Sequence, residues 1–528
     1  MEQAKKASAL KAAVAAALAA VAIAVCAALP QSAWAAEAAD GEALAEALAG
    51  TDSTITLTGD CTGNFTVAAG RTVTINLNGH KITNAGGHTI TNDGDLTIVG
   101  DGVVDNVSHG KGALVNKGTA NLEGGHFTRS AEAGTPAGNG GNSWYVIDNH
   151  GTMVIDGAKV TNTSGLSSLI RNIEASFTME SGFLENAFIA LKNDDNGTVA
   201  INGGTISTTG TGGSALQNWG QATVSGGTLT APEGALAIYA LSWSDSYGSS
   251  SISVNEGATV DGDVLVKRDP ACATETSTIP SFALNGGKVD GDITAGKSSD
   301  IALNSGTVTG ELAKDSSSDS SLVVSGGVYA DPDVAKYLAF DAAALKKADG
   351  SISVADEETI KKQAAASVTV TKDNVSTTTY YEDKAEAEEA KKEAEAAGAQ
   401  VEEKVFKCTV TFDYGTGEKT TAVVENGGVV AKPADPTYEG WTFVGWFSDA
   451  DFKNAYDFAT PVTSDITIYA GWNEVPASST DEPAATADVK KSSSAKTGDT
   501  NLFVPVAAVA GIAAAVALGA VAYRRKMQ

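Results

Sequence analysis

VAINGGTISTTGTGGSALQNWGQATVSGGTLT, residues 199 to 230, contains one phrase twice. AINGGTI returns as TVSGGTL, with ALQNWG between the copies. The same apolar-x-apolar-x-Gly pattern occurs upstream as INLNGHKI from Ile75, LTIVGDGVV from Leu96, ANLEGGHF from Ala120, MVIDGAKV from Met153 and FTMESGFL from Phe177. Downstream it occurs as ISVNEGATV from Ile252, FALNGGKV from Phe282, IALNSGTV from Ile301 and LVVSGGVY from Leu322. Aligned on Leu77, Ile98, Leu122, Ile155, Met179, Ile201, Val224, Val254, Leu284, Leu303 and Val324, the copies recur about every 19 to 33 residues, a period that marks stacked repeats. Each copy alternates apolar and polar residues, as a half-buried strand does. Gly or Asn ends it where the backbone must turn.

A second signal accompanies the first. An Asn in an apolar-x-Asn context precedes the aligned position: Asn92, Asn116, Asn149, Asn172 and Asn218, with Asn193 set back across a longer turn. Gly94, Gly118, Gly151 and Gly220 follow two places later. If each repeat is one coil, these amides lie over one another, each donating to one neighbour and accepting from the other. Spacers can then vary in length, because insertions bulge from the turns while the strands keep register.

With these features residues 36–350 resemble the right-handed parallel β-helix of the pectin-lyase-like class, and TVTINLNGHKIT resembles its opening coil. EALAEALAG, residues 42 to 50, is amphipathic and suits a cap on the first coil. DPDVAKYLAFDAAALKKADGSISV suits a closing cap. Residues 351–404 read as a strand-helix-strand spacer (βαβ), whose Ala/Glu/Lys helix stops at Gly398. Residues 405–473 resemble the internalin-type B-repeat, a small β-grasp-like module of bacterial surface proteins. The matching residues are Phe412, Pro433, Pro436, Gly440, Phe443, Trp446, Phe458, Pro461-Val462-Thr463, Tyr469 and Trp472. Phe443, Trp446, Tyr469 and Trp472 are expected to form its core. The fold class expected is therefore mainly β.

The two ends read as targeting segments. Residues 1–35 carry Lys5, Lys6 and Lys11, an Ala/Val run and the small-x-small site Ala33-Trp34-Ala35, as a secretory signal peptide does. Residues 474–496 are rich in Ser, Thr, Ala, Pro and Asp, an expected disordered wall-spanning linker. In 497–528, Leu502 to Tyr523 is long enough for a transmembrane helix, and Arg524, Arg525 and Lys526 form a basic tail that resists crossing. Together with Lys496, Thr497, Gly498 and Asp499 this order resembles a sortase sorting signal, with Ser494-Ala495 where that family has Leu-Pro. The resemblance implies sortase and a cell-wall peptide as partners and cleavage between Thr497 and Gly498; simple membrane anchoring is the alternative. Either way the bulk of the chain faces outward.

The formal charge is −28 over 528 residues, with no basic patch, which argues against a nucleic-acid partner. Cys61, Cys272 and Cys408 are widely spaced, so neither a disulfide framework nor a zinc site is indicated. The five His show no metal spacing, and no cofactor motif is present. The residues just before the corner Asn point away from the core: Asp148, Arg171, Lys192 and Gln217. Trp144, Trp219, Tyr239, Trp243 and Tyr247 lie nearby in sequence. Such a column beside aromatic insertions suits an acidic or neutral glycan or another host-surface ligand. A lyase would need Arg171 or Lys192 as a base with a lowered pKa. A hydrolase would need a carboxylate pair that the repeats do not supply. The expectation is an adhesin or binding protein, with a tethered polysaccharide lyase or hydrolase as the alternative. A third reading is a purely structural wall component in which Asp148, Arg171 and Lys192 form only an exposed charge ladder between coils.

Overall fold

The structure, a computed structural model, describes residues 35–132, 144–163, 167–242, 250–269, 278–316, 319–372 and 375–475. The expected signal segment up to Trp34, Trp243, Tyr247, Cys272, the linker from Pro476 onward, Lys496 to Asp499 and the span Leu502 to Tyr523 lie outside the described residues. Among the described residues no helix is long and apolar enough to cross a membrane.

The two copies of the quoted phrase lie one on the other. Thr198–Ile201, Thr205–Thr208 and Ser214–Asn218 form the three sides of one coil, and Gln221–Val224, Thr228–Thr230 and Leu236–Ser242 form the next. Pairing is parallel throughout, with Ile201 on Val224, Ile206 on Leu229 and Leu216 on Ile238. From Thr54 to Tyr329 the chain repeats this winding, and the third side builds a sheet of eleven strands. The protein is mainly β, made of long sheets of stacked parallel strands. Alternation drives the arrangement: along Thr198–Ile201 the exposure runs exposed, buried, half-buried, buried. The inward residues of all coils join in one core reaching from Ala38 to Val354. Burying a Val, Ile or Leu side chain contributes about 1.5–3 kcal/mol, so each coil is held chiefly by its neighbours. Where a side bends without breaking, as in Ser176–Asn186, a glycine with positive φ makes the corner: Gly182, at 114°.

One alignment differs. Ile98 pairs with Ile75, not with Leu77. Both residues face inward and are fully buried. A slip of two residues leaves every side chain on its own face, so apolar pattern alone does not separate the registers.

The corner amides form one file. Nδ2 donates to the next Oδ1 from Asn92 to Asn116, Asn116 to Asn149, and Asn149 to Asn172, each at 2.7 Å. The file runs on from Asn172 to Asn193 at 2.8 Å and from Asn193 to Asn218 at 2.7 Å, then ends on Ser250 Oγ at 3.1 Å. Asn193 is in register with both neighbours; the extra length of its turn is taken up by Asn196, at φ 54°. All six amides are fully buried.

Helix α1 (Gly41–Ala49) covers the first coil with Leu44, Ala47 and Leu48, and Asp40 caps it by accepting from the Glu42 and Ala43 amides, each at 3.0 Å. Ala35, the last residue of the expected signal segment, opens a strand, Ala35–Ala38, that pairs with Thr54–Leu57. Under this cap Cys61 is buried as a free thiol, its pKa pushed up to about 11 by burial, with Asp40 and Asp60 adding. At the far end Ile352–Asp356 pairs antiparallel with Gly327–Tyr329 of the last coil and with Ala342–Lys346. The hairpin thus spans the boundary expected at 350/351 and belongs to the closing cap. Helix α2 (Glu357–Gln363) follows.

The spacer also differs from strand-helix-strand. Ala366–Lys372 pairs antiparallel with both Val375–Tyr381 and Gln400–Val405, and helix α3 (Lys384–Ala396) connects the latter two. The extra strand was hidden because Val375-Ser-Thr-Thr-Thr is polar and exposed. Beyond it, Lys407–Asp413 and Ile466–Glu474 pair in parallel at the centre of a four-stranded sheet, with Lys419–Glu425 and Trp441–Phe447 at its edges. Trp446 is its buried centre, edge-on to Phe412, Tyr414 and Phe443 at 5.3–5.6 Å between ring centroids. Phe443 and Trp472 pack around it, whereas Tyr469, one residue out of phase with buried Ile468 and Ala470, takes the opposite face. Asn426 ties this sheet to the spacer, donating to the Lys362 and Ala364 carbonyls at 2.9 and 2.8 Å.

Candidate functional site

Strand alternation carries the argument from the amide file to the surface. If the Asn faces inward, the residues before and after it face outward. Successive coils place Val115, Asp148, Arg171, Lys192, Gln217 and Tyr239 in one outward column. His150, Asp194, Trp219 and Lys267 form a second column beside it, as the pairings Ile173–Asp194 and Leu241–Lys267 show.

The side chains of the two columns interlock. Arg171 grips Asp148 with two hydrogen bonds, Nε to Oδ1 at 2.8 Å and Nη2 to Oδ2 at 3.0 Å, and its guanidinium lies 4.6 Å from the centre of the Tyr145 ring. His150 Nε2 lies 3.2 Å from the same carboxylate. Asp148 was expected to be an exposed outward group. Its side chain is only 1% exposed, because Arg171 and His150 close over it. One coil on, Lys192 Nζ pairs with Asp194 Oδ2 at 2.8 Å and lies 4.6 Å from the Trp219 ring centre. Further along, Lys267 lies over Tyr239 at 5.4 Å. Each of these three cations therefore has an aromatic ring, and the first two also have a carboxylate.

The electrostatics follow from these contacts. Burial pulls the Arg171 pKa down, but the Asp148 hydrogen bonds and charge outweigh it, and the net direction is upward. These contacts favour the charged form of Arg171, the opposite of the lowered pKa that a lyase base would need. Asp195 is shifted upward by burial and by the neighbouring Asp194. Among the described residues no group of three His, Cys, Asp or Glu could hold a metal ion. Gln217 is half-buried, and its Oε1 and the Trp219 indole N–H are shielded without a hydrogen-bond partner. Such groups cost about 1–3 kcal/mol each when left unpaired.

Trp144 is elsewhere than expected. Its ring packs on His88 at 5.3 Å and on Tyr145 at 6.3 Å, so the ring beside the charged column is Tyr145 and the one under Lys192 is Trp219. Burial, then Lys111, lowers the His88 pKa. His150 and Tyr145 were missed as members of the site. Alternation past Asn149 points to His150 and past Asn193 to Asp194, but Tyr145 follows an aperiodic insertion and leaves no such signal.

Comparison with known proteins bears on the C-terminal sheet. Residues 409–471 match the family described as the Listeria-Bacteroides repeat domain, a surface-protein repeat. Two proteins of Evansella cellulosilytica, provisionally named a membrane protein and a Gly-rich membrane protein, are 39% and 38% identical over 67 and 66 residues. Each match covers 12% of this chain, and 10% and 8% of the respective relative. The chain thus spans about a tenth of the length of these relatives. No solved structure matches the chain.

Proposed function

We propose that this is a secreted, surface-anchored adhesin or binding protein. Its ectodomain is a right-handed parallel β-helix of the pectin-lyase-like class, followed by a β-grasp-like B-repeat. It meets a glycan or host-surface ligand through the strip from Asp148 to Tyr239. The observation that carries this reading is the strip itself: Arg171 and Lys192, on successive coils, are each fixed by a carboxylate and set against a ring, and Lys267 further along lies over a third ring. Pre-ordered polar groups of this kind lose little freedom when a ligand arrives. The surface-protein repeat and the names of the membrane-protein relatives support an exterior location.

The test presents the full chain to a panel of plant, bacterial and host oligosaccharides and follows both retention and the release of reducing or unsaturated ends. Retention without cleavage is expected, weakened about tenfold or more when Lys192 and Gln217 are both changed to Ala. Cleavage of a retained glycan that is lost in Lys192→Ala would establish the lyase alternative instead. Anchoring has its own experiment. Changing Thr497 and Gly498 together to Ala should move most of the protein from the wall fraction to the membrane fraction. An unaltered distribution would rule out sortase attachment and leave the apolar span as the anchor.

A further inference from the structure

We infer that the Asp148–Tyr239 strip selects uncharged, hydroxyl-rich saccharides over uronates and other anionic glycans, an inference that rests on the binding role proposed above. A carboxylate ligand is best recognised by a guanidinium fork or an ammonium whose charge is not already matched. Here the Nε/Nη2 edge of Arg171 is occupied by Asp148, and Lys192 is taken by Asp194. Lys117, at the neighbouring corner, is paired with Asp93 at 3.4 Å. Asp195 and Glu174 add further acidic groups near Asp194. Lys267 lies three coils beyond Lys192, about 14 Å along the stack at roughly 4.8 Å per coil, too far to join one sugar ring seated there.

The chemistry of the pairs points the same way. A Lys–Asp pair offers a donor and an acceptor side by side, and so does the Gln217 amide between Lys192 and Tyr239. A hydroxyl both donates and accepts, so it can satisfy both halves of each pair. A carboxylate only accepts; it finds the cation half occupied and the anion half repulsive. The Trp219 N–H, which like Gln217 Oε1 has no partner within the protein, is a further donor beside these groups.

The experiment measures affinities of the full chain for cellohexaose and xylohexaose against hexagalacturonate. The expected result is at least about tenfold preference for a neutral hexasaccharide, changing less than about twofold between roughly 0.05 and 0.5 M NaCl. Asp194→Asn frees Lys192 and should shift the acidic-to-neutral affinity ratio about tenfold or more toward hexagalacturonate. Asp148→Asn should do the same through Arg171. Should its burial impair folding, Asp194→Asn, on a more accessible pair, decides the matter alone. Preference of the unaltered protein for hexagalacturonate, or an unmoved ratio in Asp194→Asn, overturns the inference and leaves the binding role standing. Absence of binding to all three sugars by the unaltered chain removes the glycan-binding role itself, and the inference with it.

Discussion

Asn149→Ala is expected to cost on the order of 4 kcal/mol of folding stability. The side chain has five hydrogen-bond contacts, its two N–H groups being shared among three acceptors. Its Oδ1 accepts from Asn116 Nδ2 at 2.7 Å and from the Gly151 amide at 3.3 Å. Its Nδ2 donates to Asn172 Oδ1 at 2.7 Å, to the Ser176 carbonyl at 3.1 Å and to the Gly151 carbonyl at 3.3 Å. Removing it leaves the fully buried Asn172 Oδ1 without its donor, whereas Asn116 Nδ2 keeps the Thr152 and Gly118 carbonyls at 3.0 and 3.2 Å. That orphan costs about 1–3 kcal/mol, beyond the bonds lost. Asn149→Leu should be worse than Ala, because it also denies the gap to water. Urea unfolding gives the magnitude. Hydrogen exchange at Leu114–Asn116 and Ile170–Ile173 should show protection lost first, since a stack of repeats opens locally. A loss below about 1 kcal/mol would mean that the file of amides contributes little.

Gly151→Ala is the second change expected to do large harm, and its sign is diagnostic. Where space and backbone conformation allow, Gly→Ala stabilises by about 0.4–1 kcal/mol through the unfolded chain. At Gly151 an added Cβ would fall inside contact distance of the Gly118 carbonyl oxygen; at Gly118 it would meet Gly94, and at Gly220 it would meet Gly197. The obstruction is backbone, which cannot rotate away. Separating the coils would stretch the 2.7 Å amide bonds on either side of Asn149. The expected cost is about 3 kcal/mol or more, at the upper end for overpacking. Gly50→Ala is the control. Gly50 follows α1 at φ −77°, and its Cβ would reach no neighbour closer than 3.4 Å. Its effect should stay within about 1 kcal/mol. Equal melting shifts for the two variants would show that corner crowding is not what requires glycine at 151.

Both effects arise from features that one sequence displays openly. Ile201 and Val224 pair because the same alternation recurs, and Asn116, Asn149, Asn172 and Asn218 stand out because a buried amide is affordable only where neighbours satisfy it. What stayed hidden had equally physical causes. Ile75 and Leu77 both face inward, so the first register was off by two. Val375–Tyr381 looked like connecting chain because its exposed run of Ser and Thr has no apolar alternation. The column Asp148, Arg171, Lys192 and Gln217 was readable from position, but the burial of Asp148 was not. That burial is imposed by Arg171, one coil away, and by His150, which lies just past the inward Asn149. Trp144 was misjudged because an insertion carries no period from which its direction can be read.

The reversed hairpin at the end of the coils has a consequence for assembly. Any stack of parallel strands ends in a row of free amides and carbonyls, a template onto which another chain could continue the winding. Here Ile352–Asp356 occupies the Gly327–Tyr329 rung while running the opposite way, and α1 covers the opening coil. An incoming chain would have to displace a strand of the wrong polarity before adding a rung. Continuation of the winding from molecule to molecule is thereby obstructed on the Gly327–Tyr329 side of the last coil and under α1 at the first.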